Sequence, residues 1–128
     1  MLKSFVILIL SCTAAQASLP ENFVHAEITV ESDGRSNLVG DNGAAIGCLQ
    51  IHKACWIDSK ISGSYSNCFN RAYSIKVMEA YLNRYCPAAV KSNDFEVMAR
   101  CWNSGPNWKN KIKLTNNYWH KIKNQLKN

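Results

Sequence analysis

Apolar residues recur at spacings of three and four between Asn70 and Tyr85, and this pattern constrains the fold more than any other feature of the chain. One face of an α-helix collects side chains at those spacings. Pro87 closes the run, because proline cannot continue a helix. The sequence therefore predicts a long amphipathic helix from Asn70 to Tyr85, whose inward positions are Ala72, Ile75, Met78, Leu82 and Tyr85.

Three further helices are expected around this one. Pro20 suits the first turn of a helix that runs to about Ser32, and Asp94 can cap a helix that continues through Trp102. Thr115 can cap a final helix. Between the first two helical segments, residues 33–47 contain Gly34, Gly40, Gly43 and Gly47, which indicates a loop or hairpin. We expect a mainly α (α+β) domain with a short glycine-rich loop or hairpin after the first helix.

The N-terminal segment has the features of a secretory signal peptide. Lys3 precedes an apolar stretch, Phe5 to Leu10, and Ala15-Gln16-Ala17 is a small-x-small cleavage site. A buried N-terminal helix and a lipoprotein signal acylated at Cys12 are the alternatives. We expect residues 1–17 to be removed, which leaves one secreted, extracellular domain over residues 18–128, a length typical of a single domain.

Cysteine usage agrees with an oxidising compartment. The chain has six cysteines, one of which lies in the predicted signal peptide. Secreted domains of this size commonly carry disulfide bonds, so two bonds and one free thiol are expected among Cys48, Cys55, Cys68, Cys86 and Cys101. The pairing stays open. No Cys-x-x-Cys pair is present and the three histidines are scattered, so we expect no metal and no cofactor.

The net charge of +6 favours anionic partners. Residues 109–128 contain six lysines and no acidic residue, which indicates either a solvated helix face or a surface for bacterial walls or anionic lipids. Secretion argues against nucleic acid. No run of about 18 apolar residues follows the N-terminal segment, so stable membrane insertion is not expected. A monomer is the default for this length.

Two acidic residues, Glu31 and Asp41, indicate acid–base chemistry at a glycosidic bond. Glu31 lies beside apolar residues at the end of the first predicted helix, and Asp41 lies in the glycine-rich segment. Cleavage of a glycosidic bond needs a proton donor and a second group that stabilises positive charge or activates water. An acid against apolar walls keeps its proton, whereas one in a hydrated loop ionises. A solvated glutamate and a turn-forming aspartate are the alternative, and Asp33 competes with Asp41.

Four ordered segments between Ala26 and Lys123 resemble the lysozyme-like superfamily. Glu31-Ser32 followed by Gly47-Cys48-Leu49-Gln50-Ile51 is similar to the Glu-Ser … Gly-x-x-Gln-Ile core of lytic transglycosylases and related lysozymes. Three further segments resemble invertebrate-type (destabilase) lysozymes: Cys55-Trp56-Ile57-Asp58, Ala99 to Asn107, and Tyr118 to Ile122. The chain departs from that type by having fewer cysteines and by Trp102-Asn103-Ser104-Gly105 where His-Asn-Gly-Gly is usual.

The resemblance implies a secreted, bacteriolytic glycoside hydrolase, a lysozyme that cleaves β-1,4 bonds between N-acetylmuramic acid and N-acetylglucosamine in bacterial peptidoglycan. Glu31 matches the general acid and Asp41 lies near the catalytic aspartate. Gln50 lies in the motif that lines the cleft floor, and Asn103 and Gly105 lie in a substrate-side loop. Trp108 is our candidate for stacking on a sugar. A lytic transglycosylase using Glu31 alone, and a non-catalytic cationic wall-binding antimicrobial protein, are the alternatives.

Overall fold

The computed structural model describes residues 16–128, a mostly helical domain with one small sheet. The predicted signal peptide over residues 1–17 lies almost entirely outside the described residues. The α-helices are α1 (Glu21–Ser32), α2 (Lys53–Ser59), α3 (Arg71–Tyr85), α4 (Pro87–Ser92), α5 (Phe95–Ser104) and α6 (Ile112–Leu126). Within the described residues, no helix combines the length and the apolar character that a bilayer crossing requires.

Helix α1 begins directly after Pro20 and ends where Asp33 adopts a left-handed backbone conformation, with a φ angle of 54°. The predicted first helix is thereby confirmed. Its buried face includes Phe23 and Ile28, which are almost fully removed from solvent. The stop at Asp33 leaves Glu31 in the last turn of the helix.

The glycine-rich segment forms a small antiparallel sheet, as the predicted hairpin required. Strands β1 (Val39–Gly40), β2 (Ala45–Ile46) and β3 (Ile51–His52) lie in the order β1-β2-β3. Gly40 pairs with Ala45, and Ala45 pairs with His52. A single turn of 3-10 helix over Asp41–Gly43 connects β1 to β2.

Helix α3 is the predicted central helix. The side chain of Asn70 caps it by accepting a hydrogen bond of 2.9 Å from the Tyr73 backbone N–H. Met78 and Leu82 are fully buried in the core, whereas Ala72 is exposed. The helix ends at Tyr85 and Pro87 starts α4 as its first residue, because proline is favoured at that position. The sequence did not predict α2 or α4.

The last two helices are joined by the buried side chain of Arg100, and the predicted start of the final helix was wrong. Helix α6 begins at Ile112, so Thr115 lies inside the helix. The Thr115 hydroxyl donates to the Lys111 carbonyl at 2.9 Å and accepts from the Arg100 guanidinium at 2.8 Å. Arg100 also donates to the Ile112 carbonyl and forms an ion pair with Glu96. These contacts fix α5 against α6.

All five described cysteines are free thiols in this structure, so the two expected disulfide bonds are not present in it. Four of the five are buried, and Cys55 is partly exposed. The thiols of Cys86 and Cys101 interact, which raises the pKa of the Cys86 thiol and lowers that of the Cys101 thiol.

Gly47, the residue directly after β2, packs closely against the backbone of Cys68. Its φ angle is +78°, and a Cβ atom there would lie 2.0 Å from the Cys68 carbonyl oxygen. Gly47→Ala should therefore lower the free energy of unfolding by about 2–4 kcal/mol, through left-handed backbone strain and a backbone clash. Gly34→Ala is the matched control, since Gly34 has a φ angle of +81° with nothing nearby. Equal losses in urea unfolding of the two variants would contradict the clash.

Candidate active site

A cleft with a volume of about 590 Å³ brings together five of the six predicted site residues: Glu31, Asp41, Gln50, Asn103 and Gly105. This size is within the range of small-molecule binding sites. Two stretches of the chain supply most of the lining. The first runs from the end of α1 through the sheet into α2, and the second runs from the end of α5 into α6.

Glu31 is held at the cleft by the end of α1. The hydroxyl of the next residue, Ser32, donates to the Ile28 carbonyl at 3.1 Å and to the Cys48 carbonyl at 2.8 Å. The second bond ties the helix end to the loop between β2 and β3. Glu31 itself is partly buried, so its carboxyl is in contact with the cleft but poorly hydrated.

The pKa of Glu31 is raised to about 7 by this burial, which penalises the ionised form. The Tyr118 hydroxyl counteracts the rise by hydrogen bonding, and the negative charge of Asp41 adds to it. Electrostatic interactions with His52 and Lys121 lower the pKa of Glu31. At neutral pH a large fraction of Glu31 is therefore protonated, which is the state that a general acid needs.

Asp41 presents a different environment. It lies in the turn between β1 and β2 with a left-handed backbone (φ 49°), and its neighbour Asn42 is also left-handed (φ 55°). Such conformations are uncommon for residues other than glycine and cluster at functional sites. The Asp41 side chain is 68% exposed, and its Oδ2 atom lies 2.8 Å from Nε2 of His52. The site thus contains one poorly hydrated acid and one solvent-exposed carboxylate.

Gln50 lines the cleft, but its amide is used to hold the sheet. The Nε2 group donates to the Leu38 carbonyl at 3.2 Å and to the Gly47 carbonyl at 2.9 Å. Its Oε1 atom lies so close to Gly40 that a Cβ atom there would approach within 2.2 Å. Gln50 therefore packs against the strand that leads into Asp41.

The second stretch of the lining contains Asn103 and Gly105, together with an aromatic residue that was not predicted. Trp102 lines the cleft and meets Tyr81, which also lines it, edge to face at 5.6 Å between ring centroids. Trp108, the predicted sugar contact, does not line this cleft. It packs partly buried against the core with the Lys109 ammonium 5.8 Å from its ring centroid.

Asp33, the predicted alternative to Asp41, does not reach the cleft, whereas another acidic residue does. Asp33 is exposed at the end of α1 and is absent from the lining, whereas Asp58 in α2 lines it.

Two residues near Glu31 and Asp41 were not predicted from the sequence. His52 was missed, although its position after the buried Ile51 in a strand places it on the opposite, exposed face. Glu27 was also missed, although residues four apart share one face of a helix, which sets it beside Glu31. Within residues 16–128 no cluster of metal-ligating side chains is present.

The short sheet and two helices of this helical domain enclose a carboxylate-lined cleft, an arrangement similar to that of lysozyme-like proteins. Sequence comparison agrees: Lysozyme 1 of Crassostrea virginica is 34% identical over 86 residues, which cover 66% of this chain and 46% of that relative. The chain thus spans about half the length of the curated relative that it matches. No protein-family model matches the chain.

Structural comparison gives the same relationship. One chain in the crystal structure of Aeromonas hydrophila PliI in complex with Meretrix lusoria lysozyme has a TM-score of 0.68 and 26% sequence identity. The match covers 85% of this chain and 92% of that chain. The resemblance to lysozyme-like proteins inferred from the sequence is thereby confirmed, and so is the α+β fold class.

Proposed function

We propose that this protein is a lysozyme, a glycoside hydrolase that cleaves the β-1,4 bonds between N-acetylmuramic acid and N-acetylglucosamine in bacterial peptidoglycan. The similarity to a protein named lysozyme supports the general class of glycoside hydrolase. The cleft and its two carboxylates support the specific reaction.

The observation that carries the proposal is the partly buried Glu31 carboxyl at the cleft, whose pKa of about 7 leaves about half of it protonated at pH 7. In the reaction, the Glu31 O–H donates its proton to the glycosidic oxygen as the bond from C1 to that oxygen breaks. The leaving sugar departs as a neutral alcohol, and Glu31 becomes a carboxylate. That carboxylate then removes a proton from the water that attacks C1.

Asp41 supplies the second carboxylate of the proposal. Its negative charge stabilises the positive charge that develops at C1, or its oxygen bonds to C1 until water displaces it. Its contact with Nε2 of His52, at 2.8 Å, holds the side chain in one orientation. A lytic transglycosylase is the second candidate, because one oxygen of Asp41 is already engaged by His52. Such an enzyme needs Glu31 alone and forms a 1,6-anhydro sugar.

The proposal extends to where the protein acts and how it is built. We propose that it is secreted as one domain over residues 18–128 after removal of residues 1–17, and that peptidoglycan is its partner. Removal of residues 1–17 takes away Lys3 and leaves 14 basic against 9 acidic residues, and this net charge of +5 favours adsorption to anionic bacterial walls. Adsorption of this kind weakens as salt screens the charges.

Product analysis tests the reaction. The purified protein should clear a suspension of Gram-positive cell walls, and the soluble fragments should end in reducing N-acetylmuramic acid, because water is the acceptor in hydrolysis. Reduction with borohydride followed by mass spectrometry distinguishes these ends from 1,6-anhydro ends. A boiled sample of the same protein is the control. Fragments with only anhydro ends would contradict hydrolysis in favour of the transglycosylase.

A further inference from the structure

A second glutamate lies behind the site, fully inside the protein. Glu27 occupies α1 one turn before Glu31, and it is 0% exposed. Its Oε2 atom is hydrogen-bonded to the hydroxyl of Tyr118 in α6. Its Oε1 atom is buried without any hydrogen-bond partner in the described chain. Glu27 does not line the cleft, so it has no direct access to a substrate there.

Tyr118 connects the two glutamates. Its hydroxyl is hydrogen-bonded to Glu27, and its interaction with the Glu31 carboxyl lowers the pKa of that acid. A tyrosine hydroxyl has a single proton to donate. Two ionised carboxylates cannot both receive that proton, so at most one of the two glutamates accepts it.

Burial decides which glutamate keeps its proton. No cation pairs with Glu27 in the described chain, and an unpaired buried carboxylate neutralises rather than remain charged. The burial of Glu27 also raises its pKa well above 4.5, and the hydrogen bond from Tyr118 only partly opposes that rise. Glu27 is therefore the acid that stays neutral when Glu31 ionises.

We propose that Glu27 is a positioning residue for Glu31: as a neutral acid it donates a hydrogen bond to the Tyr118 oxygen, which turns the Tyr118 hydroxyl proton toward the Glu31 carboxyl. When Glu31 gives up its proton, the resulting carboxylate is met by a donor already in place. Hydrogen bonds in such a chain also strengthen one another. This proposal rests on the proposed function only for the role of Glu31 in the reaction.

The charged and titratable groups around Glu31 define what a titration will report. They come from four elements of the fold and face the carboxyl together, namely Glu27 in α1, Asp41 in the turn after β1, His52 in β3, and Tyr118 and Lys121 in α6. Substitutions at positions 27 and 118 leave Asp41, His52 and Lys121 in place. A change in the Glu31 titration is then attributable to the Glu27–Tyr118 connection.

The titration of Glu31 can be read without substrate by carbon-13 NMR of labelled glutamate carboxyl groups. Tyr118→Phe removes the donor to the Glu31 carboxylate, so the Glu31 pKa should rise by about one pH unit. Glu27→Gln should leave it nearly unchanged, because the amide N–H₂ of glutamine also donates to the tyrosine oxygen. Glu27→Leu should move it in the direction of Tyr118→Phe, because no donor remains to orient the hydroxyl.

Two results would overturn the proposal. An unchanged Glu31 titration in Tyr118→Phe would show that the hydroxyl does not serve Glu31. A lowered Glu31 pKa in Glu27→Gln would show that Glu27 is ionised and competes for the hydroxyl proton. Both variants keep the shape of the original side chain, so the test does not depend on the folding of Glu27→Leu. Because no substrate is involved, these results are distinct from a failure of the proposed function, which a lack of wall lysis would report.

The pH dependence of unfolding tests the neutral state of Glu27 separately. In the unfolded chain its carboxyl ionises around the ordinary pKa of 4.5, whereas the folded protein retains the proton. The folded state therefore binds one more proton above that pH, and stability falls as pH rises, with about a tenfold change in the unfolding equilibrium constant per pH unit. Glu27→Gln should remove this contribution. Identical pH dependences of urea unfolding for the two proteins would contradict a neutral Glu27.

Discussion

Replacement of Glu31 by glutamine should reduce lysis of Gram-positive walls by about 10²- to 10⁴-fold, the contribution that a positioned general acid typically makes. Glutamine keeps the size of the side chain but cannot donate a proton to the glycosidic oxygen. The rate of clearing in a turbidity assay, normalised to protein concentration, measures the loss. A large loss with unchanged binding to the walls would assign the defect to the chemical step.

The matched control for this variant is Glu21→Gln, which removes the same charge from the exposed first turn of the same helix. It should clear walls at nearly the wild-type rate. The role of Glu31 also fixes the pH dependence: the acid is active when protonated, so the rate should fall as pH rises through about 7. Equal clearing by Glu31→Gln and wild type would instead assign killing to the lysine-rich segment of residues 109–128.

Replacement of Asp41 by asparagine should lower the rate by at least about 100-fold if the protein hydrolyses the bond with two carboxylates. Asparagine fits the same left-handed turn, because it tolerates a positive φ angle, but it carries no charge to stabilise C1. The rate of reducing-end release measures the effect. Since the backbone conformation is retained, the loss reports on the carboxylate itself.

Asp33→Asn is the control for Asp41, because it makes the same chemical change in another left-handed residue near the end of α1. Asp33 lies outside the cleft lining, so this variant should retain nearly full activity. Retained activity in Asp41→Asn, together with anhydro products, would assign the reaction to a lytic transglycosylase. Loss of activity in Asp33→Asn alone would exchange the roles of the two aspartates.

The parts of the fold that followed from sequence are those with a local cause. The apolar spacing from Asn70 to Tyr85 gave α3, and the cap of Asp94 on the Val97 N–H gave the start of α5. The start of α6 was missed because Thr115 has the chemistry of a cap but is used by the buried Arg100. That partner is fifteen residues away, and local propensity carries no information about it.

The residues of the candidate site also differ in whether neighbouring sequence or the folded chain determines their environment. Glu31 and Asp41 were candidates because their environments could be read from adjacent apolar and glycine residues. Trp102 lines the cleft and Trp108 does not, although both pack partly buried against the core, and sequence alone does not show which of two such tryptophans faces the cleft. The contact between Glu27 and Tyr118 joins residues 91 positions apart, so only the folded chain brings them together.

The bond from the Ser32 hydroxyl to the Cys48 carbonyl has a consequence for how such a protein diversifies. It fastens the segment bearing Glu31 to the small sheet, which also carries Asp41 at its first turn. The backbone positions of the two acids are thus tied together within a short span of sequence that does not include the loop after α5. That loop is free to change its length or its side chains, so a lineage could acquire new preferences for glycan decoration while its acids remained undisturbed.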